Sequence, residues 1–258
     1  MVVYLDNLKI NTLSLSTLGK GSEGICYKYN DVVLKIHYSS NSTFLNEETA
    51  LKLMKIKTNR INVPISLVYD SKNKYIGYTK KYVDEKNNAR DIANKKLIEE
   101  LKLIKEDVKS LSSNGILLTD CNNLYNIIYD GNINYIDPGS FTLVNYNPLY
   151  KNYDIINQSI YDLLFNTIFF DRGELKKIVN SYNLSFYKRI FLKKIISEIV
   201  YTDFKNNSIN YIDYLINNLK GTNNLNEYRI YLLKNVRENG STNEFINSNI
   251  NKIKKLVI

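Results

Sequence analysis

The hydrophobic pattern of this chain changes period once, near residue 93, and that change excludes most ways of folding it. Ahead of it, short runs at 25–29, 32–36, 65–69 and 75–83 are rich in β-branched and aromatic residues. They are separated by Asn-Asp and Ser-Lys-Asn turns, the pattern of antiparallel strands. One helix interrupts them, expected from about Ser42 to Lys57 with Ser42 or Thr43 as its cap. Beyond residue 93, Leu97, Ile98, Leu101, Ile104, Val108 and Leu111 recur every three or four residues, and Asn114-Gly115 supplies a stop. A short hairpin follows, Ile127–Tyr129 and Ile133–Ile136 around Asp130-Gly131, and almost everything after Tyr153 reads as helix. Strands gathered at one end and helices at the other argue an α+β fold rather than alternating β-α-β units.

Composition narrows the setting. The chain has 258 residues, 44% of them hydrophobic and 24% charged, so it can bury a proper core. Cys26 and Cys121 are too few for a disulfide framework and have no metal-ligand spacing, which points to a reducing compartment. No run of eighteen apolar residues and no cationic leader occurs, so the expectation is a cytoplasmic protein without a membrane span. The net charge of +9 suits an anionic partner, yet the lysines are spread along the chain. Twenty-two tyrosines are present without an aromatic-basic pattern, so no specific nucleic-acid motif is read.

Three constellations carry chemistry. The first, Gly19-Lys20-Gly21-Ser22-Glu23-Gly24, is followed by a strand, an Asn-Asp turn and another strand. A dinucleotide-binding turn needs a helix directly after its glycines, and a P-loop needs Lys-Ser/Thr after Gly24, so neither applies. A glycine flap between two strands instead lets backbone N–H groups approach phosphate oxygens. The second is Lys35, in the middle of an apolar strand, where an ammonium needs an anion or a carboxylate. Glu47 and Glu48 are both near, and Glu47 is the expected partner because it shares a helix face with Leu51. The third is Asp137-Pro138-Gly139 after the hairpin, with Asn126 and Asp120 ahead of it, oxygen donors suited to magnesium.

In this order the motifs resemble those of protein kinases, and in particular small, divergent bacterial kinase-like proteins, over about residues 18 to 165. The resemblance implies a bilobal fold, an N-lobe over 1–83 with an antiparallel sheet and one helix, and a mainly helical C-lobe over 84–258. It implies ATP and Mg²⁺ as cofactors, with Gly19, Gly21 and Gly24 as the phosphate loop, Lys35 on the α/β-phosphates and Glu47 as its partner. Lys81 and Val83 would belong to the segment whose backbone meets adenine. Asp120 would be catalytic, Asn126 and Asp137 would hold metal, and Asp154 would anchor the catalytic loop. Cys26 stands where the family has an adenine-covering valine and reads as packing, and the sole histidine, His37, reads as a surface or packing residue.

The chain also departs from the family pattern. Asp120 precedes Asn126 by six residues instead of five, Leu118-Thr119 replaces His-Arg, and the segment between Asp137 and Asp154 lacks Ala-Pro-Glu. The expected activity is an ATP-dependent phosphotransferase acting on an unidentified protein or small molecule. The alternatives are a pseudokinase working through its surface and a small-molecule kinase of the aminoglycoside or choline type.

Overall fold

Residues 1–38, 44–84 and 94–165, with Ile212, Asp213 and Ile216, are described by the structure, a computed structural model. The expected cap at Ser42 or Thr43 and nearly all of the helical region after Phe165 lie outside these residues.

The chain is mixed α+β. Strands β1 (Val2–Leu5), β2 (Leu8–Asn11), β3 (Thr17–Lys20), β4 (Gly24–Tyr29), β5 (Val32–His37), β6 (Ser66–Tyr69) and β7 (Tyr75–Lys81) form one antiparallel sheet in the order β2-β1-β6-β7-β5-β4-β3. The β1–β2 hairpin was not anticipated. Its signal was Asp6-Asn7, which takes φ of 48° and 68°, the left-handed turn that joins strands tightly.

Strand β5 lies in the interior of this sheet, between β4 and β7. It alternates by the strand period of two. Leu34 and Ile36 face a core shared with Val3, Leu5, Ile10 and Val68, while Val33, Lys35 and His37 face the opposite side and are also buried. Lys35 is therefore committed to the second face by the same alternation that fills the core.

Helix α1 (Glu47–Leu53) is capped by Asn46, whose side chain accepts from Thr49 N, and buries Ala50 and Leu53. It is shorter than the expected 42–57. Helix α2 (Asn94–Ser113) ends where the Asn114-Gly115 signal put it, with Gly115 at φ 70°. The pairs β9 (Ile127–Tyr129) with β10 (Ile133–Tyr135), and β8 (Ile116–Leu117) with β11 (Thr142–Leu143), follow, and then α3 (Leu149–Phe165).

The chain divides into two compact units, residues 1–87 with 102–156, and 88–101 with 157–258. Within the first, buried Asp107 on α2 accepts the backbone N–H groups of Asn59, Arg60 and Ile61 at 2.6–3.0 Å. Burial pushes its carboxyl up despite these donors. The segment it holds is tied in turn to β10, through Tyr135 N to Arg60 O and Asn62 N to Tyr135 O, both 2.8 Å. Buried Asn152 on α3 acts similarly. Its Oδ1 accepts from Leu118 N at 2.9 Å, and its Nδ2 donates to Ser112 Oγ and the Ile116 carbonyl at 2.8 and 2.7 Å. Every polar atom of the amide is satisfied, and the backbone leading to Asp120 is held in place.

Candidate functional site

The β3–β4 turn and the inner face of β5 and β7 wall a cavity of about 580 Å³, all of it within the first unit. That volume suits a nucleotide-sized ligand. The turn is closed by a hydrogen bond from Gly21 N to Gly24 O at 3.0 Å. Gly19 and Gly21 line the cavity with nothing within 4 Å of where a Cβ would stand, so their backbone is open to a ligand. Gly24 is different. A Cβ there would strike the carbonyl of Ile36, so this glycine serves the close approach of β4 to β5.

Lys35 projects into the cavity from β5 with its side chain 4% exposed. Its Nζ lies 2.8 Å from Glu23 Oε2 and 2.8 and 2.9 Å from the two oxygens of Asp137. The expected pairing with Glu47 does not form. Glu47 is exposed in the first turn of α1 and accepts from the Tyr69 hydroxyl at 2.8 Å. The helix face was misjudged, because Leu51, which shares the face of Glu47, is 45% exposed and the buried positions are Ala50 and Leu53. Glu23 takes the role instead. Its carbonyl accepts from Tyr38 N at 2.9 Å, pinning the turn to the end of β5, and its Oε1 accepts from Ser140 Oγ at 2.8 Å. The signal for it lay inside the glycine motif itself, as the only acidic residue of that turn.

A second buried lysine, Lys80, was also missed. It donates to the carbonyl of Ile136 at 2.5 Å and lies 3.5 Å from Asp137 Oδ1. Burial alone would raise the carboxyl of Asp137. The ammonium groups of Lys80 and Lys35, with donation from Gly139 N at 3.1 Å, overcome that and hold it well below the usual carboxylate range. Burial alone would lower Lys35, and the charges and hydrogen bonds of Asp137 and Glu23 raise it instead. The Tyr78 hydroxyl donates to Asp137 at 3.3 Å and is itself pushed far up by burial.

Gly139 sits against this cluster, and a Cβ on it would meet Glu23 Oε2 and stand 2.5 Å from Lys35 Nζ. We expect Gly139→Ala to displace the ion cluster at a cost of about 1–3 kcal/mol, the range for overpacking a filled site. Urea denaturation checks it, and a midpoint unchanged from wild type would show that the cluster yields freely.

Asp120 and Asn126 also line the cavity. A 3-10 turn at Leu124–Asn126 lies between them, and Asn126 Nδ2 donates to Asp120 Oδ2 at 3.0 Å. Lys81, Val83 and Cys26 lie on the cavity wall, the last with its thiol pushed up by burial. On α3, Asn152, two residues before Asp154, bonds Leu118 N and the Ile116 carbonyl ahead of Asp120.

Asp137 and Asn126 offer oxygens of the kind a hard cation takes, although both Asp137 oxygens are bonded to Lys35 Nζ. The carboxyl is ionised, and with Nδ2 committed to Asp120 the amide offers its oxygen. Among the described residues no group of three or more His, Cys, Asp or Glu gathers into a metal cage. No described helix is long and apolar enough to cross a membrane. Compared with protein-family models the chain matches none, and compared with curated proteins it matches none.

Proposed function

We propose that this chain is a Mg²⁺- and nucleoside-triphosphate-dependent phosphotransferase of the protein-kinase-like type, with the seven-stranded sheet and α1 as N-lobe and a mainly helical C-lobe. ATP is the nucleotide that the sequence motifs imply. The observation that carries the reading is Lys35, a buried ammonium on a cavity wall, facing ionised Asp137 with an open glycine turn alongside. A buried lysine held by a partly buried carboxylate on a cavity wall is costly as a structural element, and the pair suits a site that must hold both phosphate and its counter-cation. Asp137 and Asn126 would hold Mg²⁺, which when bound neutralises phosphate charge. Lys35 binds phosphate oxygens, the backbone of Gly19 and Gly21 approaches them, and Asp120 orients the acceptor hydroxyl and takes its proton.

A second reading, nucleotide binding without transfer, is favoured by one observation. The Asp120 carboxylate is already bound by Asn126, and Lys35 by two carboxylates. Thermal denaturation tests what both readings share. Millimolar Mg-nucleotide is expected to raise the melting temperature, since a ligand at about 100 times its Kd stabilises by about 2.7 kcal/mol. Lys35→Met is expected to lose that shift, measured against its own ligand-free value. No shift with any nucleoside triphosphate would end the proposal.

A further inference from the structure

Lys35 carries one charge and is met by two carboxylates. Glu23 Oε2 stands 2.8 Å from its Nζ, and Asp137 takes the same ammonium with both oxygens. The two carboxylates are not held alike. Asp137 also accepts from Gly139 N at 3.1 Å and lies 3.5 Å from Lys80 Nζ, whereas Glu23 reaches in from the glycine turn and is steadied by the Ser140 hydroxyl at 2.8 Å. With its side chain 4% exposed, Lys35 is too deeply buried to be left without an anion. Asp137 can therefore give its oxygens to a metal ion only while another carboxylate stays on the ammonium, and Glu23 is that carboxylate.

Glu23 also sets the balance of charge. In the cluster, Lys35 and Lys80 face Glu23 and Asp137, two charges of each sign. The other charged residues on the cavity wall, Lys20, Lys81, Asp84 and Asp120, add two more of each. The chain as a whole carries +9, and none of that surplus is spent on this wall. A wall without net charge gives little attraction to a polyphosphate, whose charge must be met by a cation that arrives with it. Without Glu23 the same wall would carry one net positive charge and would suit a bare anion.

Resting on the nucleotide reading above, we propose that Glu23 makes this cavity select the magnesium complex of a nucleoside polyphosphate over the bare polyphosphate. It cancels the charge with which Lys35 would otherwise draw metal-free phosphate, and it remains on Lys35 when Asp137 turns to the metal. Glu23 is thus a specificity-determining residue, and the glycine turn carries it into the site.

The test is titration of a fluorescent ribose-labelled ATP, read by anisotropy, in excess Mg²⁺ and in EDTA. The wild type is expected to bind at least about tenfold more tightly with Mg²⁺, as befits one charge interaction in a partly screened site. Glu23→Gln keeps the size of the side chain and an oxygen for Lys35. It should bring the two affinities within about twofold, by gaining in EDTA and losing in Mg²⁺. Glu23→Asp, which keeps the charge, should retain the wild-type preference. A preference unchanged in Glu23→Gln, including the case in which both affinities fall together, would overturn the role of Glu23 and leave the nucleotide reading standing. A preference lost equally in Glu23→Asp would also overturn it, since shape and not charge would then be at work. No binding of the labelled nucleotide in either buffer would remove the nucleotide reading itself. A measurement on the wild type alone covers the case in which Glu23→Gln does not fold. In EDTA, ribose-labelled AMP, ADP and ATP should bind within about threefold of one another, because a neutral wall gains little from added phosphate charge. Metal-free ATP binding about tenfold or more tighter than metal-free AMP would sink the proposal.

Discussion

Asp120→Asn is expected to reduce phosphotransfer by roughly 10²–10⁴, the contribution of a positioned general base, while nucleotide affinity and melting temperature stay close to wild type. Asparagine is the informative replacement because of the backbone. Asp120 has φ of 65°, a left-handed conformation that Asp and Asn tolerate and that alanine adopts only with strain. Asp120→Ala would mix that strain with the loss of the carboxylate. The hydrogen bond from Asn126 Nδ2 also matters, since an amide oxygen at position 120 can still accept it. The shape of the loop is then preserved and only basicity is removed. Single-turnover transfer of γ-phosphate to an acceptor, or to the protein itself, gives the measurement. Equal rates for Asp120→Asn and wild type would assign this residue to the loop alone.

Acid is expected to weaken the fold well above the carboxylate range, and His37 is the cause. Burial, and next the nearby ammonium of Lys35, lower its pKa from 6.5 to about 4. Its ring stacks on Phe44 at 4.4 Å between centroids and meets Tyr75 and Tyr78 edge-on, and neither ring nitrogen has a hydrogen-bond partner among the described residues. The folded state refuses a proton that the unfolded chain accepts below pH 6.5. Stability is therefore full above pH 6.5 and falls as the pH drops towards 4, by up to about 3 kcal/mol for a shift of this size. Asp137 does not interfere, because its folded-state carboxyl is lowered and its contribution is lost only below the ordinary carboxylate range. Asp107, whose carboxyl is raised, acts with the opposite sign. Melting temperatures of the wild type and of His37→Phe, which keeps the stack, should diverge between pH 6.5 and 5. Parallel curves would mean that His37 finds a partner or water in solution.

The amino-acid sequence by itself determined the kinds of element and their order. Strand period, the Asn30-Asp31 turn and the Asn114-Gly115 stop depend on residues next to one another in the chain, and β4, β5, β7 and α2 stand within a few residues of where those signals put them. It also marked Lys35 as a charge that needs a partner, because the residues on either side of it, Val32-Val33-Leu34 and Ile36, are apolar. The β1–β2 hairpin was legible too, in Asp6-Asn7 between two short apolar runs, and was overlooked. What only the tertiary structure decided is who answers the buried charges. Lys35 had carboxylates at Glu23, Glu47 and Asp137, and no local rule ranks partners that are 12 and 102 residues away. The choice follows from the turn being pinned to the end of β5 and from Gly139 leaving room beside the cluster, whereas α1 buries Ala50 and Leu53 and so directs Glu47 outward. Lys80 was unreadable for the same reason. An ammonium in a strand is buried or exposed according to what the rest of the chain lays over it, and here the Ile136 carbonyl and Asp137, more than fifty residues on, provide the cover.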